Sequence, residues 1–460
     1  MQLRQNNSIV LRPACRQEQD IVTTTITEDM YQLTAFLCGH FHRNNDVTEE
    51  QLHSDNWTLR LYTDDEKHSL NRIFYSEFVD FFTEQCRILS MSVDTTLQVS
   101  FRDNLYTYRI DEISVYQMPL GMTLFSVRVK MTVADLNDVT VVLSSLRMID
   151  SYAQGANKDF ADVVLMPVKR FYDIAADKPK ADLSALVENG NKLKLFQVIN
   201  ETKEDGTEGM LHYVNRDLLL YQLGSVARVT TDIDVFSPSD IYLENVLQES
   251  RISIFRNWQA LALMDTFTII AEDAPAWLVD NWTESYFRQI YLHALFEKSF
   301  LFRLNKLLRT VISESRSSFS RFLVALGVRN SDISLLLGEF KEYDQKCRFH
   351  KVSYNFLPLE INSAIDKGLC VSEELELMDV AIEKEKQRRD EANDKMVNTL
   401  LFLLSALTLG SAIWDLSCLL DQMFPYADYL GSSILGYRTV VLVVLVVLAV
   451  IVSRLFRKKE

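Results

Sequence analysis

Residues 372–420, SEELELMDVAIEKEKQRRDEANDKMVNTLLFLLSALTLGSAIWDLSCLL, decide how the chain is read. Ser372 with Glu373 and Glu374 marks a helix start, since a hydroxyl and first-turn carboxylates satisfy exposed amides and complement the helix dipole. No Gly or Pro follows until Gly410, so the spacing predicts a single rod of 49 residues, about 73 Å long at 1.5 Å per residue. Glu383–Lys395 is almost wholly charged and suits a solvated stalk. From Met396 the rod turns apolar for longer than the roughly 20 helical residues that cross a hydrocarbon core.

A second apolar run covers 434–456, with Val440–Val452 unbroken. Two C-terminal membrane helices are therefore expected. Lys384, Lys386, Arg388, Arg389 and Lys395 precede the first, and Arg454, Arg457, Lys458 and Lys459 follow the second. The connection Phe424–Ser433 has no Lys or Arg, so the positive-inside rule places both termini in the cytoplasm.

Upstream, β-rich runs at 97–101, 106–115, 122–131, 163–168, 193–199 and around 252–270 predict strands, and 70–89 and 136–149 have helical spacing. Strand signals end near Asp280; helices are expected over 282–310, 317–326 and 333–346. The expected organisation is an α+β cytosolic domain (1–275), a helical layer (276–371) and a stalk helix (372–395). The first membrane helix (396–423), outer loop (424–433), second membrane helix (434–456) and basic tail (457–460) follow.

A net charge of −15 argues against bulk nucleic-acid binding. Cys15, Cys38, Cys86, Cys347, Cys370 and Cys418 are widely spaced with no Cys-x-x-Cys pair, which predicts reduced thiols. In the first expected span, Asn398, Ser405 and Ala412 recur every seven residues beside Leu401, Thr408, Asp415 and Gln422. The stripe gathers the polar residues and reads as a pore lining; close helix packing is the alternative.

This order of elements resembles the CorA-type metal-ion transporter family, over about residues 280–460, with Trp282–Asn305, which includes the segment Tyr291–Asn305, similar to the helical layer of divergent members. The resemblance implies a homopentamer in a bacterial inner membrane, with the first span lining the pore and a divalent cation as cargo. The family's Gly-Met-Asn filter is missing; Leu419–Pro425 reads Leu-Leu-Asp-Gln-Met-Phe-Pro. Divergent members without the filter resemble those encoded beside type III CRISPR systems. That likeness implies an antiviral channel gated through its cytosolic domain by a small nucleotide messenger. Rival readings are a membrane-anchored receptor or enzyme without a pore, a membrane-disrupting effector, and a divalent-cation transporter with an altered filter.

Phosphate-loop, dinucleotide, zinc-protease and nucleophile-elbow motifs are absent from the sequence, and no enzyme is expected. Cys38, His40 and His42 alternate, so a strand would put them on one face as metal ligands or as polar edge residues. Trp258, Trp277 and Trp282 could stack on a base or fill a core. Lys169, Arg170, Lys178 and Lys180 could meet phosphates or water.

Overall fold

A computed structural model describes residues 31–52, 56–102, 104–149, 152, 157–178, 182–187, 192–203, 209–212, 215–229, 237–314 and 332–423. The chain divides into two compact units, 1–311 with 332–378 and 312–331 with 379–460.

The first unit is built on a nine-stranded sheet ordered β2-β3-β4-β5-β1-β6-β9-β8-β7. Its strands are β1 (Tyr31–His42), β2 (Thr58–Arg60), β3 (Arg87–Phe101), β4 (Asn104–Gln117) and β5 (Met122–Val133). β6 (Lys194–Glu201), β7 (Arg251–Ile252), β8 (Trp258–Leu263) and β9 (Thr266–Glu272) complete it. All neighbours are antiparallel except β6 and β9. β4 and β5 close a hairpin through Leu120 and Gly121, both in the left-handed region. At Gly121 a Cβ would lie 2.8 Å from His42 Nε2, so glycine answers both the turn and the close approach.

Successive side chains on a strand alternate between faces, so a strand covered on both sides, such as β1, serves two cores. On β1, Leu33, Ala35, Leu37 and Phe41 join the principal apolar core with Val127 and Val129 of β5. Among the helices that cover that face are α3 (Leu136–Arg147), capped by the Asp135 carboxylate on Asn137 N, and α4 (Met166–Ala176). The strand expected at 163–168 is corrected here, because Ala161–Leu165 forms a wide helical turn leading into α4. A short apolar run bounded by no turn residue has no period that separates strand from buried helix, and Pro167 fits a helix's first turn.

The opposite face receives the helices that flank it in sequence. α1 (Asp64–Asn71) opens with a capping box between Thr63 and Glu66, and α2 (Ser76–Asp80) runs into the turn Phe81–Gln85. α5 (Arg216–Ser225) and α6 (Asp240–Ser250), which precede the β8–β9 hairpin, lie instead on the principal-core side, where Leu219, Leu220, Leu223 and Leu247 are buried. The helix expected over 282–310 is two helices, α7 (Ala276–Glu284) and α8 (Phe287–Glu314), broken where Tyr286 N turns back to Asn281 O. α9 (Asp332–Lys346) and α10 (Phe356–Leu369) follow. The helix expected at 317–326 lies outside the described residues.

Cys370, in the left-handed region, separates α10 from α11 (Val371–Met423) by one residue. Ser372 does not cap α11; its hydroxyl donates to the Asp366 carboxylate of α10. The expectation of two C-terminal membrane helices is corrected. Among the described residues no helix is long and apolar enough to cross a membrane. The residues assigned to the first span, 396–423, are instead the distal part of the 53-residue α11, where Asn398, Thr399, Ser405, Thr408, Ser411 and Asp415 dilute the apolar run. The fold is thus a mixed nine-stranded sheet with helices and one long helix, and the multi-pass inner-membrane placement is corrected with it. The outer loop, second span and basic tail, 424–460, lie outside the described residues.

Candidate functional site

Beneath the start of α8 the second face of the sheet is polar although it is buried. Strand register explains which groups meet there. Phe36 of β1 pairs with Arg128 of β5, and Arg128 with Glu112 of β4. One pleat along, Cys38 pairs with Ser126, Ser126 with Ser114, and Ser114 with Ser90. Ser114 Oγ donates to Glu112 Oε1 at 2.8 Å. Burial alone would raise the Glu112 pKa, but hydroxyls from Ser114 and Ser90 and the charges of Arg128 and Arg288 bring it below the ordinary value.

The first turn of α8 lays Arg288 over this layer. Its guanidinium carbon lies 4.6 Å from the centre of the Phe36 ring and that of Arg128 5.2 Å, so two cations share one ring. Arg128 Nη2 pairs with Glu284 Oε1 at 2.5 Å, at the end of α7. Arg288 has no such partner: only 4% exposed, it makes one long hydrogen bond, from Nη2 to the Glu284 carbonyl at 3.5 Å. Among the described residues no carboxylate comes within 4 Å of it, and the Nε atoms of both arginines are buried without an acceptor. Burial pulls the Arg288 pKa down, yet the field of Tyr116, Glu284, Glu112 and Tyr62 more than offsets it. Tyr62, which meets Gln289 at 3.4 Å, is pushed up to about 12 by burial, and so is the Cys38 thiol. A buried guanidinium whose Nε has no acceptor and whose hydrogen bond from Nη2 is long is under-satisfied.

Farther along α8 lies a second polar cluster, walled by Phe78, Phe81 and Phe349. His293 Nε2 stands 2.8 Å from the Cys347 carbonyl, which can only accept, so Nε2 carries a proton. His293 Nδ1 is 3.4 Å from Glu297 Oε2, and Tyr343 donates to Glu297 Oε1 at 2.8 Å. Burial lowers the His293 pKa to about 4 and raises that of Glu297 to about 8. The carboxyl of Glu297, neutral at its raised pKa, faces Nδ1 across that 3.4 Å, and Tyr343 and the Cys347 carbonyl partner the other polar atoms.

The far end of α8 reaches α11. Asn305 Nδ2 donates to Glu374 Oε2 at 3.1 Å, and Val371 and Met378 are buried in the same unit. Arg288 and Asn305 are 17 residues apart on one helix, a rise of about 26 Å.

The residues singled out by sequence sit elsewhere. Asn398, Leu401, Ser405, Thr408, Ala412 and Asp415 are exposed on α11, and the side chain of Gln422 lies outside the described residues. Ser405 and Thr408 donate to the helix's own Leu401 and Leu404 carbonyls at 2.8 and 3.0 Å. Val397, Leu404 and Leu407 are as exposed as the polar stripe. Cys38, His40 and His42 do share a face of β1, but among the described residues no group of three or more His, Cys, Asp or Glu could hold a metal ion. Burial, then Arg303, Arg43 and Lys178, lowers the His42 pKa to about 4. Trp258 and Trp282 pack 5.3 Å apart in the core, whereas Trp277 is exposed. Lys169 and Arg170 lie on α4, with Lys169 bonded to Asp173; Lys178 follows the helix and Lys180 lies outside the described residues. No protein-family model, curated protein or solved structure matches this chain.

Proposed function

We propose that the protein is a ligand-responsive regulatory protein, not an enzyme, in which the arginine layer under α8 is the sensing site and α11 the output. The observation that carries this reading is that Arg288 and Asn305 belong to one helix: the under-satisfied cation sits at its start, and the contact with α11 near its end. A helix shifts as a body, because its side chains are packed into discrete positions and do not deform continuously. A change at Arg288 is therefore felt at Glu374. The exposed apolar side chains of α11, among them Leu401, Leu404 and Leu407, support self-association through that helix as the response.

Amide exchange tests the link without knowledge of the ligand. Replacing Arg288 by Met removes the cation that the field of Glu112 and Glu284 favours and loosens the first turn of α8, so exchange within Val371–Met378 quickens about three- to tenfold. A change confined to the sheet and the first turns of α8, with 371–378 exchanging as in the parent, overturns the reading.

A further inference from the structure

Resting on the sensing site just described, we propose that the ligand is a small monoanionic oxyanion, a carboxylate or a phosphodiester, held between Arg288 and Arg128 in the place now taken by Glu284.

Two features of the layer point there. Arg288 is a buried fork of donors with no ion partner, and Arg128 next to it also has a buried Nε without an acceptor. A planar guanidinium matches the two oxygens of a carboxylate or a phosphodiester, so one oxyanion answers both. The resident acids differ in how they are held. Glu112 is fixed by the Ser114 and Ser90 hydroxyls on the sheet. Glu284 ends α7, its side chain is 39% exposed, and among the described residues Arg128 alone pairs with it. It is the acid that can leave.

Charge then sets the ligand class. Arg128 and Arg288 balance Glu112 and Glu284, giving no net charge. With Glu284 swung into solvent the layer carries one positive charge, which a monoanion neutralises and a dianion over-compensates. Tyr62 and Tyr116, close enough to Arg288 to influence its ionisation, supply hydroxyls at the same place. Release of Glu284 also frees the end of α7, the element that leads into α8, so occupancy and helix position are coupled.

The experiment is calorimetric titration of the full chain with sodium acetate and with sodium dimethyl phosphate, each against sodium chloride at matched ionic strength. Saturable binding of one of the two is expected, and the one that binds decides between carboxylate and phosphodiester. Glu284→Gln, which removes the internal competitor, binds that anion about tenfold more tightly. Arg288→Met loses it, and Arg288→Lys, with charge kept but the fork gone, binds it more weakly than the parent. No saturable binding to folded Glu284→Gln, or equal binding by Arg288→Met, overturns the proposal. The two readings fail separately: quickened exchange at 371–378 in Arg288→Met with no anion bound leaves the helix link and removes this ligand. Anion binding with 371–378 unaffected leaves the ligand and removes the link.

Discussion

Two polar clusters sit under the same helix, α8, and they are resolved in opposite ways. At His293, Glu297 and Tyr343 the polar groups partner one another or a backbone carbonyl and are neutral; burial costs little because no charge is left over. At Arg128 and Arg288 the charges balance only in sum, and the more buried cation has no acid within reach. A closed cluster specifies how α8 packs, while an open one holds affinity in reserve for something that is not part of the chain. The comparison can be broken at several points.

The largest effect falls on the ring that both arginines share. Phe36→Ala removes an aromatic side chain that is 1% exposed and costs about 3–5 kcal/mol in urea unfolding. A loss below 1 kcal/mol means that the layer is not closed around Phe36. In the satisfied cluster, Tyr343→Phe leaves the Glu297 carbonyl oxygen without its donor and costs about 2 kcal/mol; an unchanged midpoint shows that the hydroxyl is dispensable.

The same cluster predicts how stability depends on pH. Glu297 binds its proton more tightly folded than unfolded, so its contribution is complete below the ordinary glutamate range and is lost as pH rises through about 8. His293 is depressed to about 4, so its contribution is complete above the ordinary histidine value and is lost as pH falls through about 4. Between the ordinary histidine value and pH 8 only Glu297 acts. The charged groups facing it there are Arg348, which opposes the shift, and Asp366, which adds to it. Stability should fall by roughly 2 kcal/mol from pH 6.5 to 8. Glu297→Gln, which keeps the neutral acid's hydrogen bonds, should flatten thermal midpoints over that range; an unaltered slope places the proton elsewhere. The smallest effect sharpens the contrast most. Arg288→Met should cost no more than about 1 kcal/mol, because the field of Glu112 and Glu284 favours the cation but it has no ion pair of its own to lose. Destabilisation by several kcal/mol would show that Arg288 is fully satisfied within the chain.

Much of the sheet was legible because its strands alternate. In β5, Phe125, Val127 and Val129 take one face and Ser126, Arg128 and Lys130 the other. That pattern ordinarily means a solvated face, so nothing in it says that α8 covers Ser126 and Arg128. Arg288 and Gln289 next to Ile290 and Tyr291 read as the wet edge of an amphipathic helix, and only the fold shows both buried. The nearest sequence signal was Trp282–Asn305, which reads as a helical layer and contains Arg288 without giving it a role. The length of α11 followed from the absence of Gly and Pro before Gly410. The membrane reading of its distal part went wrong because a run of Leu, Val and Ile was given lipid as its only partner, and the seven-residue stripe within it was then read as a pore. Local capping was misread on a smaller scale: Ser372 stands where a cap belongs, but Asp366 across the Cys370 turn takes its proton.

The central claim is that α8 carries a state of the arginine layer to α11. The most direct measurement is a double-mutant cycle of Arg288→Met and Asn305→Ala, read as protection free energies from amide exchange at Val371–Met378. Sites about 26 Å apart along a helix add within about 0.5 kcal/mol when independent. Coupling of about 1 kcal/mol or more, with Asn305→Ala erasing the effect of Arg288→Met, is the predicted result. Simple additivity would contradict the account.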